Sequence, residues 1–470
     1  MSGSTSLALL LPIMVVLLSA ASVAAAPAEV GTRFPLLSDA ECWRKLPPTQ
    51  RGGGQPLPSW AQALAGTMPR TTAAFLRLDQ VHRAGSPIDA KLRALMRWVA
   101  ARANRCAYSE AYAAFDAVKA GIHPDELQAL RHGDYSGMNT AWKLALEFAK
   151  KMTVDSAGVT DAEFADLVKA FDERKAAAMV LLMAYSNFQD RLLLCLGSSI
   201  EPGGPRPPVD VVFAADAVGS KMPKPLPSQV SALPKPTGKD LVEDDPDWTS
   251  QSYDQLQERL ERQRSKPTRL KIPKWDEVER GLPPGFMRPS SIVWNQICLG
   301  YVPELATAWE TVMRTNMPEM RTKMDRVFGI SMFWVITRSI DCPYCMGHCE
   351  MNWEVAGLPK SLIAERSQLL AGDDWSSFPA EEQRAFAFAR KLTKYPGRIT
   401  DEDIDTLKHD FDTERALFIL TYASRCNYMT RISNGFQLRL ERENVFFDYY
   451  SDSDDTAKAG AGADGKRTGR

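Results

Sequence analysis

The chain has 470 residues and a formal net charge of −1 at neutral pH. That length suits two or three domains, and so balanced a charge gives no electrostatic case for nucleic-acid binding. Hydrophobic residues at 44% and charged residues at 24% are ordinary for a globular chain, and eight cysteines are too few for a disulfide-built scaffold.

Residues 7–18 form an apolar run, and small residues follow through position 26. This pattern predicts the h-region and cleavage region of a secretory signal peptide over residues 1–28. The mature chain is then exported, periplasmic or extracellular. The run is too short, and too broken by Pro12, for a convincing membrane span. An uncleaved leader that anchors the chain is the alternative.

A first helical domain is expected over residues 29–200. Leu92, Leu95, Met96, Val99 and Ala100 recur at helical spacing, and residues 139–152 and 173–195 do the same. Thr160 ahead of Asp161 reads as a helix cap with acid in the first turn. Residues 201–289 contain 15 of the 31 prolines. They suit an extended linker over the surface, interrupted by one charged, exposed helix near residues 253–264. A second helical domain is expected over residues 290–448, with periodic segments at 325–338, 380–392 and 413–432 and a second cap at Thr400. No segment alternates at period two, so no sheet is expected. The tail, residues 449–470, is acidic, then rich in Gly and Ala, then basic, and reads as disordered.

The chemistry concentrates at residues 342–349, Cys-Pro-Tyr-Cys-Met-Gly-His-Cys. Asp341 as a cap and Pro343 at the first helical position predict a helix start. Cys342, Cys345, His348 and Cys349 then fall near one face. A thiol at a helix N-terminus should have a lowered pKa, and beside an imidazole it is a candidate nucleophile. The residues alone also admit a metal site or an inert buried cluster. Ligands confined to two turns of one helix rarely close a tetrahedron, and a c-type haem needs His where Met346 stands. No metal and no cofactor is therefore expected. Cys349 reads as a small buried apolar side chain, and Cys42, Cys195, Cys298 and Cys426 as packing or structural disulfides. Phe328, Phe333 and Trp334 read as core.

The same unit occurs twice. Cys106-Ala-Tyr-Ser-Glu-Ala-Tyr112 aligns with Cys342-Pro-Tyr-Cys-Met-Gly-His348 at an offset of 236. At an offset of 240, Phe148-Ala-Lys-Lys-Met-Thr153 aligns with Phe388-Ala-Arg-Lys-Leu-Thr393, and Asn187 and Arg191 with Asn427 and Arg431. A tandem duplication is expected, with the Asn and Arg pairs holding helices together.

These residues resemble the carboxymuconolactone decarboxylase / AhpD-like alkylhydroperoxidase superfamily, over roughly residues 55–197 and 290–440. The resemblance implies an all-α fold of two tandem AhpD-like helical domains joined by the Pro-rich linker. It also implies assembly of such units, here with the two repeats as a pseudo-dimer. In the peroxidase branch the second cysteine is oxidised, the first resolves it as a disulfide, and the histidine belongs to a proton relay. Carried over, Cys345 would be peroxidatic, Cys342 resolving and His348 the relay base. The substrate would be a small peroxide or disulfide, and the reductant an unidentified thiol. Two features depart from the pattern. The histidine lies three rather than four residues after the second cysteine, and the helix upstream of Cys342 carries no relay glutamate. In the first repeat Ser109 and Tyr112 replace the second cysteine and the histidine, so that copy is expected to be structural. The decarboxylase branch, which acts on a small lactone acid and usually lacks the cysteine pair, fits less well. The alternative of another class is a non-enzymatic binding or assembly protein on the same scaffold.

Overall fold

The computed structural model describes residues 32–214, 222–226, 247–286, 289 and 292–451. The expected signal peptide, the tail from residue 452 and the middle of the Pro-rich stretch lie outside the described residues. The fold is all-α. Two minimal ladders interrupt it: Thr49–Arg51 pairs antiparallel with Val212–Phe213, and Met222–Pro223 pairs parallel with Tyr450–Ser451. They correct the expectation of no sheet. Strands of two or three residues are too short for a period of two to register in the sequence. Among the described residues no helix is long and apolar enough to cross a membrane.

Local sequence sets the helix starts. Asp89 accepts hydrogen bonds from the backbone N–H groups of Lys91 and Leu92, and Asn139 from that of Trp142. Thr160 with Glu163 and Thr400 with Asp403 close reciprocal capping boxes. Asp172 and Asp412 adopt positive φ, 82° and 64°, and each caps the helix that follows through the N–H three residues on. Asp412 therefore kinks the 36-residue helix Asp401–Phe436.

The helix Glu173–Leu196 packs along the second part of Asp401–Phe436, and this pair is the centre of the molecule. Its internal ties recur in both halves. Asn187 Nδ2 donates to Thr153 Oγ1 at 3.3 Å and Asn427 Nδ2 to Thr393 Oγ1 at 3.2 Å. The arginines then cross over. Arg191 Nη2 donates to Thr393 O at 2.9 Å, and Arg431 Nη2 to Thr153 O at 3.3 Å.

A second crossing involves residues outside the aligned segments. Arg33 Nε pairs with Asp401 at 2.7 Å and donates to Leu194 O and Ile399 O. Arg269 Nε pairs with Asp161 at 2.9 Å and donates to Asn434 O and Val159 O. Arg269 lies in the stretch read as linker. That stretch is also less of a surface strap than expected. The helix Tyr253–Ser265 buries Leu256, Leu260 and Gln263 and packs against Pro343–Val355. Only three of its residues face inward, so its charge dominated the sequence reading.

Candidate thiol site and its carboxylate

The helix Pro343–Val355 presents the motif. Pro343 occupies its first turn as expected, but Asp341 does not cap it. Asp341 has φ of 58°, and its carboxylate pairs with Arg259 at 2.5 Å. Cys342 takes the capping position, held by its N–H to Thr337 O at 2.9 Å. The residue before a proline is kept out of the helical region, which places Cys342 just ahead of the first turn.

Cys342 and Cys345 lie 3.0 Å apart without a disulfide bond, against roughly 2.05 Å for the bond itself. Both are buried, as are His348 and Cys349. The Cys345 thiol donates to Ser433 Oγ at 3.2 Å, and Ser433 in turn donates to Met429 O. Burial pushes the Cys345 thiol well above its usual pKa, the contact with Cys342 adds to the rise, and Ser433 only partly opposes it. This corrects the expectation of a lowered pKa. The partial charge of a helix N-terminus is smaller than the cost of a thiolate in an apolar enclosure.

His348 Nε2 lies 2.7 Å from Glu441 Oε2. Glu441 Oε1 accepts the Val293 N–H at 2.7 Å and the Tyr344 hydroxyl at 3.1 Å. Burial works to raise the Glu441 pKa, but the charge and hydrogen bond of His348 and the Val293 N–H outweigh it, so the carboxyl titrates below its usual range. The His348 ring is held between Tyr344, with centroids 4.2 Å apart, and the edge of Phe446, 4.9 Å away. Cys345, His348 and Tyr344 share a cavity of about 60 Å³. Phe333, expected in the core, also lines it.

Glu441 is the residue that sequence reasoning missed. The family pattern places a carboxylate on the helix upstream of Cys342, and that helix, Arg326–Ser339, carries none. The carboxylate comes instead from beyond the last long helix, 93 residues after His348. A signal was available: Glu201 stands 240 residues before Glu441. Glu201 accepts the Tyr108 hydroxyl at 2.7 Å, the Tyr112 hydroxyl and the Ser59 N–H. Tyr112 thus meets its carboxylate where His348 meets Glu441. In the first half Ser109 stands where the second thiol of the pair would be. Cys106 donates to Ser109 Oγ at 3.5 Å, and burial pushes its pKa up to about 12.

The remaining cysteines are free and buried. Among the described residues no group of His, Cys, Asp and Glu is placed to hold a metal ion. A model of the carboxymuconolactone decarboxylase family matches residues 69–151, so the chain holds one domain of that family there. The match falls in the first half and ends well before the thiol pair. No curated protein matches the chain.

Proposed function

We propose that the chain is a tandem duplication of the carboxymuconolactone decarboxylase-like unit, and that its second half is an exported thiol oxidoreductase that reduces a small peroxide. The contact between His348 and Glu441 beside the closely spaced thiols carries this reading. His348 takes the Cys345 proton, and Glu441 stabilises the imidazolium that forms. The Cys345 thiolate attacks the distal oxygen of the peroxide, and the O–O bond breaks. The leaving oxygen collects the proton from His348 and departs as an alcohol or water. The resulting sulfenic acid is attacked by Cys342, which releases water and leaves a Cys342–Cys345 disulfide. An external thiol restores the pair. A relay suits a thiol whose resting pKa is raised, because the proton must be removed at the moment of attack. The first half supports the centre from the other side of the paired helices.

Peroxide titration of the reduced protein, followed by peptide mass mapping, tests this. One equivalent should consume two thiols and link Cys342 to Cys345. Cys345→Ser should abolish the reaction, and Cys342→Ser should trap a sulfenic acid on Cys345. If peroxide consumes no thiol and Cys345→Ser changes nothing, the chain is a binding or assembly scaffold instead.

A further inference from the structure

Arg425 is 2% exposed and lines the same cavity as Cys345 and His348. No carboxylate among the described residues lies within ion-pair reach of it. Its Nη1 reaches only the Met313 sulfur, at 3.2 Å, and its Nε has no partner. The guanidinium sits over the Tyr422 ring, 4.8 Å from the centroid. A sulfur contact and a ring face offset only part of the cost of burying a cation, which folded proteins otherwise meet with a counter-ion. A second guanidinium, Arg326, lines the cavity too. Its Nη2 is held by Asn352 Oδ1 and the Tyr450 hydroxyl, both at 2.5 Å, and among the described residues it also pairs with no carboxylate.

The first half shows what a neutralised version looks like. Tyr185 stands 240 residues before Arg425, and its hydroxyl bonds Asp79. The buried cations there have anionic partners: Arg83 meets Asp116 at 2.8 Å and Asp79 at 3.1 Å, and Arg97 meets Asp116 at 2.8 Å. That cavity is only about 20 Å³. The second half has Met317 and Phe333 lining its space and keeps an unneutralised cation. Glu310 also lines the cavity but does not supply the charge. Its nearest cation is Arg314, 3.9 Å away, and burial raises its pKa to about 7, so much of it is neutral near neutrality.

We infer that the cavity takes a small organic anion as its substrate, with the carboxylate of that molecule paired to Arg425 and its reducible group facing Cys345. The inference rests on the reading of this cavity as the place where substrate meets the thiol. The volume limits the ligand to a short chain. The chemical class is a carboxylate-bearing hydroperoxide rather than a neutral alkyl one.

Propionate, with propionamide as its neutral match at equal ionic strength, is the probe. The full chain, reduced, is followed by thermal shift and by the fluorescence of Trp294 and Trp309, which line the cavity. Propionate should stabilise the protein and change the fluorescence, and propionamide should do neither. Arg425→Met should weaken propionate binding at least about 10-fold and should unfold at a higher temperature without ligand, because an unpaired buried charge is gone. Arg425→Lys keeps the charge without the planar fork, folds by the same packing and should fall between the two. Equal responses to propionate and propionamide, or undiminished propionate binding by Arg425→Met, overturn the inference. Peroxide-dependent thiol loss is read separately. A chain that loses thiols to hydrogen peroxide but ignores propionate refutes the anion site alone, and a chain that binds propionate with inert thiols refutes the redox reading alone.

Discussion

Glu441 holds the Nε2 side of the His348 ring at 2.7 Å, and in the proposed relay its charge stabilises the imidazolium. Glu441→Gln keeps the shape and removes the charge. Thiol oxidation should slow by about 10²-fold, while circular dichroism and melting stay close to wild type; an unchanged rate would remove Glu441 from the relay. Glu310 carries a different consequence. Its folded pKa of about 7 lies above the ordinary 4.5, because burial disfavours its charge. Between these values the folded protein binds more protons than the unfolded chain, so stability is greatest below the lower value and falls as pH rises through about 7. The loss is a few kcal/mol at most. Glu310→Gln should flatten that fall in denaturant titrations from acid to neutral pH. At this scale the sequence was legible where the chemistry is local. Cys342, Cys345 and His348 lie within two turns, and spacing alone brings them together. Glu441 reaches His348, and Arg425 reaches the cavity, from other segments, so only the packing of helices brings them there.

At the scale of elements, the motif helix depends on a close approach at Gly347. A β-carbon there would run into the side chain of Leu440, which is itself buried. Leu440 precedes Glu441, and its N–H donates to Gln263 O at 3.2 Å. Gly347→Ala should favour the helix by propensity, yet push Leu440 and the neighbouring carboxylate away from His348. The expected result is a well-folded protein with slowed thiol oxidation, and an unaltered rate would show that Leu440 yields without moving Glu441. Most helices were legible because their caps and apolar stripes are local signals: Thr160, Thr400 and the residues around Leu92 suffice. The helix Tyr253–Ser265 is legible in its position but not in its burial, since its charged residues outnumber the three it buries. What a helix buries depends on its neighbour, and the neighbour here is Pro343–Val355.

At the scale of the molecule, the described residues form one compact unit from Thr32 onward. Its halves are joined by reciprocal arginines, Arg191 with Arg431 and Arg33 with Arg269. Arg191 and Arg431 are 1% exposed, so each depends on the other half for a buried carbonyl partner. A chain cut to residues 247–470 should lose the partner of the Asp401–Phe436 helix and aggregate or self-associate. Native mass measurement should give a monomer for the full chain, because in the proposed duplication the helix Glu173–Leu196 already covers the helix Asp401–Phe436. A monomeric, well-folded 247–470 fragment would contradict this. The likeness of Asn187 and Arg191 to Asn427 and Arg431 was visible in sequence, but the crossing of their hydrogen bonds was not, because likeness does not tell which segment each residue touches.

Tyr112 and His348 each rest on a carboxylate, Glu201 and Glu441. In a symmetric dimer of a short chain, these two positions would be one codon, and any change at it would be made on both sides of the axis at once. In this chain they are encoded separately. One side pairs a tyrosine with its carboxylate and its cations with Asp79 and Asp116, and the other holds an imidazole, two thiols and a buried arginine that meets no carboxylate among the described residues. In the duplication proposed above, covalent continuity releases the half that carries the thiol pair from self-complementarity.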